Sequence, residues 1–368
     1  MDRDETYLWL LLSRLAGSRP SSLRRLLCER SDPLKILALP RREWVASGSD
    51  AAMLAALEEW RRRGRRSVSG ELAGHDQRCL SLIGGVVVPL CRDDYPARLR
   101  EIHDPPPLLY LRGDPDALVP PQLAIVGSRK GSGSGCRMAG ELAGQLAALG
   151  FGVCSGLALG IDASAHRGAL EVGGVTVAVM ATGVDRIYPR QHVKLAEEIC
   201  GTGVLVSEAP PGAPPQRQRF PRRNRLISGL SLGVVVVEAA LRSGSLVTAR
   251  LALEQDREVF ALPHSIHHPL GRGCNRLIAQ GARLVQEVAD ILEELRYIIP
   301  AGDLGRGSST PEVSKQAAGL LDAMGGAPTT VNELALATGR DVDLVLQELG
   351  ELELLGVVES RGGCYQRL

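Results

Sequence analysis

From Leu123 onward, short runs of β-branched and other apolar residues alternate with amphipathic segments. A strand with one wet face would alternate apolar and polar residues, whereas the unbroken valines at 234–237 are typical of a strand covered on both faces. Strands that alternate with helices form parallel sheets. The pattern therefore predicts an α/β fold with an extended, Rossmann-like, doubly wound sheet. The predicted strands are LAIVGS, FGVCSG, VTVAVMATG, GVLVSE, GVVVVEAA, EVFALP and RLV.

Two segments that flank this core differ from it in charge and pattern. Residues 1–80 carry 15 basic and 11 acidic side chains. Their leucines recur at helical spacing until Gly17 and Pro20 interrupt it. This predicts a small helical domain at 1–80, followed by the core at 81–300 and a Gly-rich linker at 301–312.

The last segment, 313–368, is acidic, with 4 basic residues against 9 acidic ones from residue 311 onward. Thr330-x-x-Glu333 is a capping box before an apolar helix, Gly339 suits a turn, and Asp341 suits the cap of a second helix. The final VVESRGGCYQRL is typical of a hairpin. Three helices and a wing predict a winged-helix domain.

Overall charge and cysteine spacing exclude several classes of protein. The net charge of +1 argues against a uniformly basic nucleic-acid coat, so any polyanion site must be a local cluster. No apolar run approaches the ~20 residues of a membrane span, so no membrane partner is expected. The cysteines lack CxxC spacing, which argues against a zinc ribbon. The N-terminus has no pattern of a signal peptide, and the expected location is the cytoplasm.

A glycine-rich loop, 127–135, follows the first core strand. It fits neither GxGxxG nor the P-loop pattern, and the next strand ends in Cys154-Ser155-Gly156 without an acid for a ribose. We therefore expect no bound nucleotide and no other cofactor. Two interpretations remain: a tight turn that requires glycine, or a phosphate cradle with Arg129 as the charged group, which we favour.

Basic residues concentrate in 186–225, a segment that contains eight cations and only three glutamates. Several follow predicted strands, at the edge where open α/β sheets bind ligands. Farther on, Ser243-Gly244-Ser245 begins a helix whose N–H groups could receive phosphate. The cations are Arg186, Arg190, Lys194, Arg217, Arg219, Arg222, Arg223 and Arg225.

Two groups of residues suggest other chemistry. Asp162 and His166 are four residues apart and could form an acid–base pair, but Asp at a helix start is usually a cap. His264, His267 and His268 suggest zinc, yet no nearby acid or paired cysteine completes a site. We favour a cap and a polar loop, with no catalytic and no metal-binding residues.

Read in order, several motifs of this sequence resemble the DNA-processing protein A (DprA/Smf) family. That resemblance implies an extended Rossmann core that binds single-stranded DNA, protects it and loads RecA recombinase during natural transformation, as a dimer without known catalytic turnover. It also implies a sterile-alpha-motif-like N-terminal domain and a winged-helix C-terminal domain. The motifs, preceded by PPPLLYLRGD, are GSRKGSGSG, SGLALGIDASAH, ATGVDRIYP, SE at 207–208, FPRRNRLISGLS, VVEAALRSGSLVTA and GCNRLIAQGA.

The resemblance assigns DNA contacts to Arg129, Arg190, Arg223 and Arg225. The chain departs from the family where His192 replaces an Asn and His264 replaces a Gly. Because aromatic residues are scarce, phosphate contacts should dominate. Phe220 is the one aromatic that we consider for a base, and the alternative is that it belongs to the core. The predicted nucleic-acid-binding residues are Gly127, Ser128, Arg129, Lys130, Gly156, Arg190, Arg222, Arg223, Asn224, Arg225, Ser243, Gly244 and Ser245.

Other functions remain as alternatives. Glu238 with the 243–245 turn is similar to the site of nucleotide phosphoribohydrolases, although the PGGxGT run of that group is missing. A third possibility is a sequence-specific repressor that binds DNA through the winged helix. The second helix of that domain is acidic, however, which instead predicts that the domain contacts a protein and not phosphate. The apolar stretch 274–285, with Leu277, Ile278, Leu284 and Val285, is the predicted dimer surface.

Overall fold

The structure is a computed structural model that describes residues 2–17, 20–28, 30–295, 320, 324, 329–354, 358–361 and 364–367. The chain divides into two compact units, Met1–Arg306 and Gly307–Leu368. The predicted linker, 301–312, lies outside the described residues. Within the described ranges, no helix has both the length and the apolar character needed to cross a membrane.

Helices form the beginning of the first unit. Asp2, Asp50 and Ser67 precede three of them and accept hydrogen bonds from backbone N–H groups of the first turn, which have no partner inside a helix. The helices are α1 Arg3–Ala16, α2 Pro20–Cys28, α3 Pro33–Ala38, α4 Arg41–Ala46, α5 Ala51–Arg63 and α6 Val68–Leu82.

These helices share a hydrophobic core with the strands that follow. Trp9 and Leu11 on α1 are 1% and 0% exposed and belong to the same cluster as Val87 and Tyr110 of the sheet. The Ser13 hydroxyl is hydrogen-bonded to the Tyr110 hydroxyl at 2.9 Å. The helical region that the sequence separates at residue 80 is therefore joined to the sheet in one unit, because the apolar face of α1 packs against the first strands.

A nine-stranded sheet spans the described part of the first unit, in the order β1-β2-β6-β5-β4-β3-β7-β8-β9. From β6 to β9 all neighbours are parallel, which confirms the seven predicted strands and the doubly wound class. The sequence patterns missed β1 and β2, which extend the sheet as antiparallel strands. The strands are β1 Val86–Pro89, β2 Leu108–Gly113, β3 Gln122–Val126, β4 Gly152–Ser155, β5 Thr176–Met180, β6 Val204–Ser207, β7 Ser231–Val236, β8 Glu258–Ala261 and β9 Arg283–Leu284.

Helices cover both faces of the sheet. Successive residues of β3 alternate between two hydrophobic clusters, with Ala124 and Val126 in one and Leu123 and Ile125 in the other. The sheet is thus buried on both faces, as its continuous apolar runs predict. The helices are α7 Ala97–Glu101, α8 Gly133–Ala148, α9 Ile161–Glu171, α10 Val193–Thr202, α11 Arg219–Leu230, α12 Gly244–Glu254, α13 Arg272–Ala279 and α14 Val288–Leu295.

Strand β3 lies between β4 and β7, so the chain winds in opposite directions on its two sides. At such a switch point the loops that leave two neighbouring strands separate and open a crevice at the carboxyl edge of the sheet. The loop after β3 and Glu238 after β7 lie at this crevice, where the Ser132 N–H donates to the Glu238 carboxylate at 2.8 Å.

The second unit contains a small sheet with the order β10-β12-β11. Thr330 and Glu333 form the predicted capping box, and Gly339 ends the helix at a φ of 67°. Strands β11 and β12 pair as the predicted hairpin. Most of the first of the three predicted helices lies outside the described residues. The elements are β10 Thr329–Thr330, α15 Val331–Thr338, α16 Val342–Leu354, β11 Val358–Arg361 and β12 Cys364–Arg367.

Candidate nucleic-acid interface

The glycine-rich loop is fixed to the fold by its backbone while its charged side chains are exposed. The Ser245 hydroxyl donates to the Gly127 carbonyl at 2.8 Å, and the Ile161 N–H donates to the Ser128 carbonyl at 3.2 Å. Arg129 and Lys130 are exposed. The loop thus presents two cations on a backbone that other elements hold in place.

Helix α8 begins at Gly133, so the last three residues of the predicted loop 127–135 are helical. Ser132 is its N-cap, and its side-chain oxygen accepts a hydrogen bond from the Gly135 N–H at 3.0 Å. The neighbouring Gly160 has a φ of +74°, and a side chain there would collide with the Ser128 carbonyl. In the glycine-rich loop itself, a side chain at Gly127 would collide with Ile161 and one at Gly135 with the Glu238 carboxylate, so close packing requires glycine at these two positions.

Arg129 lies beside an aromatic pair. Its Cζ is 5.3 Å from the centre of the Phe220 ring, and the Phe220 and Tyr188 ring centres are 5.7 Å apart. Phe220 is half-buried and Tyr188 is 45% exposed. Phe220 is thus part of a surface rather than of the core. Sequence reasoning missed Tyr188, although the YP motif that follows β5 was a usable signal.

Two further predicted cations face solvent near this group. Arg190 is exposed at the start of a short 3-10 turn, Arg190–His192. Arg222 has a side chain that is 47% exposed, with its Nε 3.2 Å from Glu208 Oε1. A surface ion pair of this kind contributes little to stability, so the guanidinium of Arg222 can exchange partners at low cost.

Arg223 is buried. Its Nη1 donates to the Gly156 carbonyl at 2.7 Å and also to the Val179 carbonyl. Burial lowers the pKa of the Arg223 guanidinium to about 10, and the charge of Asp162 opposes this shift. Arg223 is still a cation at neutral pH, and it joins the loop that follows β4 to strand β5.

Arg225 is also buried, with 8% of its surface exposed. Its Nη2 donates to Glu208 Oε2 at 2.5 Å, and its Nε is 3.6 Å from Asp104 Oδ2. The structure thus gives both Arg223 and Arg225 internal partners. Direct contact of these two residues with DNA stays a prediction.

The remaining predicted residues lie around the start of α12. The Ser243 hydroxyl accepts from the Ser245 N–H at 3.3 Å and caps the helix. The side-chain amide of Asn224 reaches the Gly244 carbonyl at 3.5 Å. Because Ser245 also holds Gly127, the 243–245 turn and the glycine-rich loop lie side by side.

Asp162 and His166 do not pair with each other. The Asp162 carboxylate accepts from the Gly156 and Ala158 N–H groups at 3.1 and 3.3 Å. Its predicted role as a helix cap is wrong in detail, because Gly160 is the N-cap of α9 and Asp162 instead holds the preceding loop. The Nδ1 of His166 lies 2.7 Å from the Thr176 hydroxyl, and burial lowers the pKa of the imidazole to about 3, which keeps it neutral.

His192, one of the departures from the family pattern, keeps a hydrogen-bonding role. It is 4% exposed, and its Nδ1 donates to the Leu157 carbonyl at 3.0 Å. Leu157 has a φ of 55°, which is costly for a residue with a side chain. His192 therefore fixes a strained turn next to Gly156.

A cleft of about 350 Å³ separates the N-terminal helices from the carboxyl edge of the sheet. Arg219, Arg222 and Arg223 lie on one side, and Gly17, Pro20 and Leu72 lie on the other. The basic surface therefore continues from the glycine-rich loop into this cleft. The N-terminal helices form the second wall of the cleft.

Comparison with known proteins identifies the relatives of this arrangement. A family model described as DNA recombination-mediator protein A matches residues 87–296, and one described as DprA winged helix domain matches residues 306–363. Protein Smf of Escherichia coli (strain K12) is 45% identical over 288 residues, which cover 77% of each chain. The DNA processing protein DprA of Bacillus subtilis (strain 168) is 42% identical over 209 residues, which cover 56% of this chain and 70% of that protein.

Solved structures give the same result. DNA processing protein A from Streptococcus pneumoniae superposes with a TM-score of 0.66 at 34% identity, covering 78% of this chain and 98% of that one. The Helicobacter pylori protein, whose structure is described for its unique single-stranded DNA binding mode, has a TM-score of 0.54 at 30% identity over 60% of this chain and 99% of that one. The match at 306–363 confirms the winged-helix prediction. The chain belongs to the DNA recombination-mediator protein A (DprA/Smf) family.

Proposed function

We propose that this chain binds single-stranded DNA across the carboxyl edge of its sheet and acts as a recombination mediator. The observation that carries the proposal is the grouping of an exposed cation, Arg129, with the rings of Phe220 and Tyr188. Cations neutralise phosphates, and aromatic rings stack on bases that are free only in single strands. The single-stranded DNA binding described for the Helicobacter pylori relative supports the same ligand.

In the proposed complex the exposed cations contact phosphates, while the buried ones hold the loops that present them. Arg129, Lys130, Arg190 and Arg222 are the exposed cations of the predicted set. Backbone N–H groups of the glycine-rich loop and of the 243–245 turn supply further donors. Arg223 and Arg225 act here mainly through their internal partners. Gly127, Ser128, Gly156, Asn224, Ser243, Gly244 and Ser245 complete the proposed interface.

A direct comparison of single- and double-stranded oligonucleotides of the same sequence tests the proposal. Fluorescence anisotropy should show tighter binding of the single strand, with affinity that falls as salt rises because bound phosphates release counterions. Equal affinity for the two forms, or none for the single strand, would refute it.

We further propose that this chain acts in the cytoplasm, where it protects incoming DNA and loads RecA during natural transformation. Family membership supports it. The test is RecA filament formation on a single strand already coated with a single-strand-binding protein. Addition of this chain should accelerate it. Unchanged filament growth would contradict the loading step while leaving DNA binding intact.

We also propose a homodimer through the sheet edge formed by β9. Leu277 and Val285 are buried inside the protomer, whereas Ile278 is half-buried and Leu284 is 39% exposed. The latter two are therefore the apolar side chains of 274–285 that a second copy would cover. Light scattering at about ten micromolar protein should give the mass of a dimer. Leu284→Glu should shift it to a monomer, and a monomeric wild type would contradict this interface.

The phosphoribohydrolase alternative assigns catalysis to Glu238. That carboxylate is 1% exposed and already accepts two hydrogen bonds from Ser132, at 2.8 and 2.5 Å. These contacts favour a structural role, and we propose that the chain is not an enzyme. Incubation with nucleoside 5′-monophosphates decides the question. Steady release of the free base by the wild type, abolished in the Glu238→Gln protein, would establish enzymatic activity.

A further inference from the structure

Three potential metal ligands meet at the carboxyl ends of two neighbouring strands. Glu238 follows β7, while His264 and His268 follow β8, and these two strands are parallel neighbours. One ligand atom from each of the three residues lies within 4.8 Å of the other two. The acid that the histidine loop lacks in the sequence is thus supplied by the adjacent strand.

The backbone of His264 is held on both sides by one asparagine. The His264 N–H donates to Asn275 Oδ1 at 3.0 Å, and Asn275 Nδ2 donates to the His264 carbonyl at 2.8 Å. A side chain at Gly271 would collide with the Cβ of His264. The fold therefore leaves room for a side chain at 264, the position at which this chain departs from the family pattern.

The imidazole of His264 is oriented as well. Its Nε2 donates to the Val237 carbonyl at 2.6 Å, which fixes the tautomer and leaves the lone pair on the other ring nitrogen. Histidines that bind metals usually donate their second nitrogen to a carbonyl or carboxylate in this way. The ring centres of His264 and His268 are 5.4 Å apart, so both rings border one small space.

Glu238 carries a negative charge that no Lys or Arg neutralises in the described part of the chain. It accepts two hydrogen bonds from Ser132, and its Oε1 is 3.1 Å from His268 Nε2. Although burial opposes it, these hydrogen bonds lower the pKa of the Glu238 carboxyl below its ordinary value. Because burial reduces dielectric screening, this carboxylate attracts a nearby cation more strongly than an exposed one would.

We propose that Glu238, His264 and His268 bind a divalent transition-metal ion of the zinc class. Imidazole and carboxylate suit zinc and its first-row neighbours, and two His with one Glu is a known ligand set for zinc. Ligand atoms about 2.1 Å from a tetrahedral ion lie roughly 3.4 Å apart, close to the 3.1 Å between His268 and Glu238. The remaining ligand atom, on His264, lies within 4.8 Å of the other two.

The ion would have three protein ligands and keep at least one position for water or another small ligand. Because Ser132 both contacts Glu238 and caps α8, the ion would connect the β8 loop to the start of that helix. The inference is independent of DNA binding.

The test uses the full chain without a polyhistidine tag, freed of metal with a chelator. Isothermal titration with Zn²⁺, and with Co²⁺ for its absorption spectrum, should show one equivalent bound by the wild type. His268→Gln and His264→Gln should weaken that binding more than tenfold. His267→Gln is the matched control, because His267 lies in the same loop, is exposed and is not one of the three ligands.

Thermal unfolding of the metal-free variants checks that each one folds, and His268, which is 31% exposed, is the safer site for substitution. Absence of stoichiometric binding by the wild type would overturn the proposal. So would a His268→Gln protein that binds as the wild type does, or a His267→Gln protein that loses binding to the same extent.

Discussion

The guanidinium of Arg129 lies over the ring of Phe220, with its Cζ 5.3 Å from the ring centre. The first residue comes from the loop after β3 and the second from the first turn of α11, so the contact joins two elements that are distant in the sequence. It places a cation and an aromatic face side by side at the carboxyl edge, and the predictions on DNA binding follow from this pair.

Arg129→Ala should weaken binding of single-stranded DNA by about 1–3 kcal/mol, the cost of a lost charge-assisted hydrogen bond. The slope of log affinity against log salt should flatten by about 0.7, because one phosphate contact is lost. Anisotropy titrations at several salt concentrations measure both quantities. Arg62→Ala is the control, since Arg62 is exposed in the last turn of α5 and should change neither. An unchanged affinity and slope for Arg129→Ala would remove this residue from the site.

Phe220→Leu should cost about 1–3 kcal/mol of affinity if a base stacks on the ring. The salt slope should stay as in the wild type, because no charge is removed. Tyr188→Phe keeps its ring and is expected to bind normally, which makes it the matched control. Should Phe220→Leu bind like the wild type, the ring serves only to pack against Arg129.

Arg223→Met should lower the free energy of unfolding by about 1–3 kcal/mol, because it leaves the buried carbonyls of Gly156 and Val179 without their donor. Urea denaturation measures the change. Arg222→Ala, at the adjacent and half-exposed position, should cost less than about 1 kcal/mol. Equal stabilities of the Arg223→Met protein and the wild type would show that the guanidinium is not needed inside the fold.

Removal of 311–368 should leave affinity for single-stranded DNA largely intact. The first compact unit ends at Arg306, so the deletion does not cut into it. The sequence of α16 contains several acids and no basic residue, which disfavours its approach to phosphates. The same anisotropy titration compares the two proteins, and a large loss of affinity on deletion would refute a protein-facing role for the winged helix.

Acid should destabilise the fold through His166. Its pKa is lowered to about 3 in the native state, so between about pH 6.5 and pH 3 the unfolded chain binds a proton that the native chain does not. The free energy of unfolding should therefore fall by about 1.4 kcal/mol per pH unit in that range. His166→Gln should remove this part of the slope, as measured by urea denaturation at pH 7.5 and 5.5. Parallel pH dependences of variant and wild type would contradict the assignment.

Several elements could be predicted because their signals are local. The seven parallel strands follow from continuous apolar runs, and the capping box at Thr330 and Glu333 follows from residue spacing. Strands β1, VVVP, and β2, LLYLRG, escaped prediction because short apolar segments next to proline have no distinctive period. The glycine-rich loop is three residues shorter than predicted, because the apolar pattern begins only after Ser132, the cap of α8.

The α/β class, the order of the elements and the concentration of cations between 186 and 225 follow from local sequence patterns. Which of those cations are exposed depends on the folded chain, since Arg222 and Arg223 are neighbours in the sequence and opposite in burial. The tertiary structure also brought Glu238 to His264 and Arg129 to Phe220. The physical reason is that local propensity specifies helices and strands, whereas burial and contact depend on which strands become neighbours, and that is a property of the whole sheet.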